Sequence, residues 1–592
     1  MTPRQSHQDA ADRSPRSTPV IENDWIDLPD GARLSVRIWR PAGSATRPVS
    51  AILESVPYRI SDGTAVRDAG WGSWFAGHGF AFVRIDLRGS GNSDGLLADE
   101  YTEQEQADVE RAIEWIAERP WCTGSVGMIG ISWGGFAALQ LASRTPPALR
   151  GIVPIHASDD RYSDDVHYLG GAVSPMDMPQ WATSMLAYLN QPPDPAVVGD
   201  GWREQWHRRL DGASLWIEPW LGHQRRDHYW RQGSACEHYE AIRCPVFAVG
   251  GWSDGYRDMV LRVTEHVSAP VRGLIGPWGH TSPETGAPGP AIGFLQECAR
   301  FFAAALDGAD NGFFEEPKLI SFLQEPVPPA GSYESRAGRW IADPAWPSPA
   351  VADRVLSLDG DRLRDRPGSA HDATPRSIRG LQTSGVDGGV WCGDGSPGDF
   401  GSDQRPDDGA SLCWDSEPLE ERVELLGRCE ARLRVGVDVP QAAVITRVCD
   451  VAPDGRSTLV ARGVLNLSRR EGHDRTVPMP VGEPVEIRVP MQSIGYAIPA
   501  GHRIRLAVTN TYWPMVWPGP VPGVLTVHGG ELALPVRGHS ELDAALAPFR
   551  SPETGTDLAT ETTMLRDGGR TVSRDLATGE TTVTFDWHPS RV

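Results

Sequence analysis

At 592 residues the chain is too long for one compact core, and two to four domains are expected. A hydrophobic fraction of 40% is enough to build those cores, and 64 glycines with 50 prolines point to many turns and strands. The formal charge of −22 repels phosphate backbones, which argues against a nucleic-acid partner.

The first 20 residues are polar and read as a disordered tail without the apolar run of a secretory signal. Residues 33–39 (RLSVRIW) alternate as a strand does. Buried-type apolar runs then follow at 49–56, 79–86, 125–131, 151–155, 245–250 and 271–275, with amphipathic segments between them. This alternation predicts a mostly parallel sheet covered by helices on both faces, an α/β architecture over 21–158 and 235–315. The clearest helix is 103–118, where Val109, Ala112, Ile113 and Ile116 make an apolar stripe.

Between 159 and 234 the alternation breaks, and Trp181, Trp202, Trp206, Trp216, Trp220 and Trp230 crowd the segment. A helical cap over the sheet is expected there, its tryptophans forming either a groove lining or the cap's own core. From 316 to 592 short alternating strands and Gly/Pro/Asp turns predict an all-β jelly roll. No run of about 18 apolar residues is present, so no membrane-crossing helix is expected. Eight cysteines with no CxxC spacing fit free thiols in a reducing cytoplasm better than disulfides or a zinc cluster.

The pattern G-x-S-x-G occurs twice, at Gly91–Gly95 and Gly130–Gly134. A nucleophilic serine of this kind needs a strand running into a sharp turn and a helix leaving it. Ser132 meets that demand, lying between SVGMIGI and WGGFAALQLASR, whereas Ser93 is followed by loop and reads as a glycine-rich turn. Serine is a poor nucleophile without a histidine base, itself oriented by a carboxylate. Asp254 follows the strand PVFAVG and His280 follows VRGLIG, both at strand ends, while the rival Asp258 lies inside the next helix. The oxyanion of a tetrahedral intermediate needs two donors. The Trp133 backbone N–H is one. Tyr58, after VSAILESV, is read either as the second or as a packing residue.

These motifs resemble the cocaine esterase / X-Pro dipeptidyl-peptidase group (peptidase S15, CocE/NonD) of serine hydrolases. The resemblance spans DGARLSVRIWRP, VPYR, DLRGSGNSDG, GISWGG, PWLGHQRRDHYW, GGWSDGY, GPWGH, DQRPDDGASLCWDSEPLE and PAGHRIRLAVTN. It implies an α/β-hydrolase domain with an inserted helical cap and a galactose-binding-like jelly roll. It also implies a Ser132–His280–Asp254 triad with Tyr58 as oxyanion donor. The segment 163–171 resembles the amino-ester hydrolase and acylase branch, which places carboxylates immediately after the triad acid; here those positions are Gly255, Tyr256 and Arg257. Ammonium recognition is therefore disfavoured, with Asp159, Asp160, Asp164 and Asp165 left as contributors.

The expected activity is cleavage of a small ester or amide through an acyl-enzyme, with no metal or organic cofactor and no membrane partner. An X-Pro dipeptidyl-peptidase or α-amino ester hydrolase is the alternative, and a non-catalytic carbohydrate-binding protein a more distant one. Asp164, Asp165, Trp181 and Trp252 are the candidate pocket residues. The jelly roll is expected to wall the groove and to offer a homodimer face.

Overall fold

In the computed structural model, residues 18–365, 374–556, 563–564, 569–586 and 590–591 are described. The expected tail falls on residues outside this set up to residue 17, and the first strand, β1 (Val20–Asp27), begins just inside it. β1 pairs antiparallel with β2 (Arg33–Arg40), which pairs antiparallel with β4 (Ala81–Asp86). From there β4, β3 (Val49–Val56), β5 (Cys122–Ile131), β6 (Leu149–Ile155), β7 (Val246–Gly251), β8 (Val271–Gly276) and β9 (Leu319–Gln324) run parallel in that order. Parallel neighbours need crossover connections, and helices supply them. α1 (Ala65–Gly77) and α6 (Phe294–Asp307) cover one face through Trp71, Phe75, Phe301 and Phe302. α2 (Glu103–Ala117), α3 (Trp133–Arg144) and α5 (Asp258–His266) cover the other. The predicted stripe of α2 is wholly buried, and the Thr102 side chain caps the helix by accepting from the Glu105 N–H at 3.1 Å.

Between β6 and β7 the chain leaves the sheet to form the cap, whose longest helix is α4 (Met178–Leu189). Trp216, Trp220 and Trp230 are buried as the cap's core, and Trp202 stacks on Trp206, so of the six cap tryptophans Trp181 alone lines the cavity described below.

The sheet continues past residue 315. β9 and its antiparallel partner β10 (Gly338–Asp343) both belong to it. The apolar run LISFLQ pairs with β8 through its first half and with the C-terminal strands only at Gln324, opposite Tyr496. Beyond it two antiparallel layers face each other. β11 (Val351–Asp359), β12 (Val423–Val437), β15 (Val485–Ile498) and β17 (Leu525–Arg537) make one, in the order 11-17-12-15. β13 (Ala443–Val451), β14 (Ser457–Asn466), β16 (Arg503–Thr509) and the short strand Leu412–Asp415 make the other. Leu425, Leu433, Val444, Val448, Val489, Leu506 and Leu532 fill the space between. A hairpin of β18 (Gly569–Arg574) and β19 (Thr581–Asp586) returns from this region toward the sheet edge. Among the described residues, no helix is long and apolar enough to cross a membrane.

Candidate active site

β5 ends at Ile131 and α3 begins at Trp133, leaving Ser132 alone in the turn between them with φ 58° and ψ −119°. A serine in this region is strained, and such strain persists where the surroundings impose it. Here the two flanking glycines allow it. A Cβ on Gly130 would stand 2.5 Å from the Gly134 Cα, so only glycine lets the helix leave so close to the strand. The turn lifts Ser132 into a cavity of about 470 Å³ at the carboxyl edge of the sheet.

His280 lines the same cavity from the turn after β8. Its Nδ1 lies 3.2 Å from Oδ1 of Asp254, which is fully buried in the turn after β7. The other carboxylate oxygen, Oδ2, lies 2.8 Å from Nδ1 of the buried His156, the residue that follows β6. Burial alone would raise the Asp254 carboxyl, but the two imidazoles hold it well below the usual carboxylate range. For His280, burial works against the charged form and Asp254 works for it; the carboxylate prevails and the imidazole titrates above its ordinary value. Among the described residues no direct hydrogen bond joins Ser132 to His280 in this resting geometry, in which the Ser132 hydroxyl faces the Tyr58 phenol. Catalytic hydrogen bonds commonly tighten only when substrate is bound.

Tyr58 follows β3 and packs edge-on against Trp133 and Trp181, with ring centroids 6.5 and 6.4 Å away. Burial, aided by Tyr188, pushes its phenol far above the ordinary range, so it remains a neutral donor. Trp133 is the first residue of α3, and the first N–H groups of a helix have no intrahelical acceptor. Both donors stand beside the serine.

Residues 30–282 match the X-Pro dipeptidyl-peptidase (S15 family), and residues 311–571 match the X-Pro dipeptidyl-peptidase C-terminal non-catalytic domain. The chain is a serine hydrolase of the S15 family. It is 26% identical over 551 residues to the cocaine esterase of Rhodococcus sp. (strain MB1 Bresler), covering 84% of this chain and 91% of that one. In fold it is similar to a CocE/NonD family hydrolase from Staphylococcus aureus, with a TM-score of 0.67 and 16% identity over 88% of this chain and 94% of that one. It is likewise similar to an aminopeptidase from a marine sediment archaeon, Thaumarchaeota archaeon, with a TM-score of 0.70 and 18% identity over 89% of this chain and 97% of that one.

This S15 hydrolase brings Ser132, His280, Tyr58, Asp165 and Trp181 to one cavity, with Asp254 behind His280. Two residues expected in the pocket lie elsewhere. Asp164 turns away to pair with Arg262 at 2.5 Å, an arginine that also holds Asp159. Trp252 is buried against Gly495 of β15, its indole donating to the Phe322 carbonyl at 2.7 Å. Asp160 is paired too, with Arg226 at 3.3 Å, so most of the acidic run is neutralised, by Arg226 of the cap and Arg262 of α5. Asp165 is the exception that reaches the cavity; burial raises it to about 6, and it accepts from the Tyr256 hydroxyl at 2.8 Å. The rival acid Asp258 is spent between domains, accepting from the Ser493 N–H at 2.9 Å and from Arg428 at 3.1 Å.

Four residues at the site were not singled out from sequence. His156 stands at a strand's carboxyl end, where ligand-facing residues of open α/β sheets gather, so a signal existed. Cys392, with Sγ 3.6 Å from Asp254 Oδ1, and the hairpin residues Arg570 and Phe585, which wall the cavity, carry no local signature. Asp254, His280 and Cys392 bring metal-ligating atoms together, as do Glu100, Asp165 and His167. In both groups the imidazole already faces carboxylates, His167 at 3.1 Å from Glu100 and 3.5 Å from Asp165, so its charge has a partner without an ion.

Proposed function

We propose that this S15 serine hydrolase cleaves a carboxylic ester or amide through a covalent acyl-enzyme, with Ser132 as nucleophile, His280 as base and then acid, and Asp254 as the carboxylate that orients the imidazole. The observation that carries this reading is the strained Ser132 sharing one cavity with His280, whose Nδ1 is bonded to Asp254 behind it. Ser132 Oγ attacks the carbonyl carbon while His280 Nε2 takes its proton. The Tyr58 hydroxyl and the Trp133 N–H receive the oxyanion. Collapse expels the alcohol or amine with the proton from His280, and a water activated by the same imidazole releases the acid. Eight free cysteines suit a reducing compartment, and we place the protein in the cytoplasm on that ground.

Absence of carboxylates at 255–257 favours neutral acyl groups over a substrate ammonium. The second reading, an X-Pro dipeptidyl-peptidase or aminopeptidase-type hydrolase, draws support from Asp165, Asp177 and Asp394 on the cavity wall, any of which offers an ammonium a counter-charge. Parallel assays of p-nitrophenyl butyrate and a dipeptidyl-proline anilide separate the two. The ester reading expects rapid turnover of the butyrate, abolished in Ser132→Ala. Rapid turnover of the anilide alone would replace it with the peptidase reading.

A further inference from the structure

We propose that the Trp391–Gly393 segment of the C-terminal region is a positioning element for the Asp254–His280 pair, with the Cys392 thiol as its polar contact on the acid. This rests on the reading of Asp254 and His280 as acid and base. The matched domain carries the description non-catalytic, yet three consecutive residues of it converge on the two turns that hold the pair. The Gly393 carbonyl accepts the His280 backbone N–H at 2.7 Å. Cys392 Sγ lies 3.6 Å from Asp254 Oδ1, the same oxygen that faces His280 Nδ1 at 3.2 Å. Trp391 meets the Tyr256 ring edge-on at 4.9 Å and occupies the space over Gly255, where a Cβ would stand 2.6 Å from its indole.

The segment is itself held rigidly. Arg462 of β14 donates to the carbonyls of Gly388 at 2.6 Å and Val390 at 2.7 Å, and the Val390 N–H donates to the Asp399 carbonyl at 2.8 Å. Trp391 is 3% exposed. The β-sandwich therefore sets the turns after β7 and β8 through one arm, a connection that the hydrolase sheet alone does not make.

The chemistry follows from what shares Oδ1. A thiol is a weak donor, and burial together with the Asp254 charge pushes the Cys392 thiol well above its ordinary range, so it stays protonated and can donate. Two donors then divide one oxygen, which tempers how strongly Asp254 holds the His280 proton. The groups facing His280 are Asp254, Asp394, His156, Tyr256 and Cys392, and of these only Cys392 competes for that oxygen. Without the S–H, Oδ1 serves the imidazole alone. The imidazolium is stabilised, the acid limb of the rate profile moves to higher pH, and the ring loses one constraint on its orientation.

The test uses full-length Cys392→Ala, Cys392→Ser and Ser132→Ala proteins, assayed with p-nitrophenyl butyrate across pH and checked for folding by circular dichroism. Cys392→Ala is expected to lose about 3- to 10-fold in kcat, the loss of one weak hydrogen bond, with its acid limb raised by several tenths of a pH unit. Cys392→Ser keeps a donor and is expected to lie within about twofold of the parent with an unshifted limb. A Cys392→Ala profile superimposable on the parent overturns the proposal. So does an equal loss in both cysteine variants without a shift of the limb, which marks a packing role only. Ser132→Ala stands apart from these outcomes: if it hydrolyses the ester at the parental rate, the reading of the active site fails and not merely the role of this segment.

Discussion

Two turns in this molecule carry the same five-residue pattern, and they are opposites. At Gly91–Gly95, Ser93 is fully buried; its hydroxyl donates to the Asp86 carbonyl at 2.7 Å and accepts from the Ser35 N–H at 2.8 Å. The cap rests on this turn, with Gln205 donating to the Ser93 carbonyl at 2.7 Å. At Gly130–Gly134, Ser132 has a positive φ and opens on the cavity that His280 also lines. One hydroxyl is spent on joining strands, and the other faces the cavity. A strand feeding directly into a helix, rather than the glycine spacing, makes the strained serine that faces the cavity.

Exchanging each serine for alanine breaks the comparison most sharply. Ser132→Ala should lower kcat for ester hydrolysis on the order of 10⁴-fold or more with unchanged folding. Ser93→Ala should leave turnover per folded molecule near normal while lowering stability by about 1–3 kcal/mol, read from a urea midpoint, because the buried Ser35 N–H loses its acceptor. A next-smaller effect belongs to Tyr58→Phe, which removes a donor that only Ser132 has beside it; kcat should fall by about 10²- to 10³-fold. Smallest is the placement of a pH limb. A protonated imidazole cannot take the serine proton, and Asp254 raises His280 above its ordinary value, so kcat/KM should decline as pH falls through a midpoint above about 6.5. A midpoint clearly below that value contradicts the coupling between His280 and Asp254.

Much of the site was legible because its parts obey local rules. Buried strands, the amphipathic stripe of α2, and the strand ends bearing Asp254 and His280 are written in residue order and period. The less legible parts depend on contacts between distant segments. Cys392 reaches Asp254 across 138 positions, and no spacing rule anticipates that meeting. Asp164 and Asp165 are neighbours of identical chemistry, yet one turns to Arg262 and the other to the cavity. Trp252 sits two residues before Asp254, where a pocket residue is expected, but Gly495 of the sandwich and the Phe322 carbonyl of β9 supply a better partner surface. Only the folded sheet decides these choices.

The hydroxyl at 132, and no other, is expected to be the reactive one. Treating the intact protein with a fluorophosphonate and mapping the adduct by peptide mass spectrometry tests it directly. The expected result is a single stoichiometric phosphonyl group on the peptide containing Ser132, with the Ser93 peptide unmodified. Labelling at Ser93, or an unlabelled and still active enzyme, would contradict it.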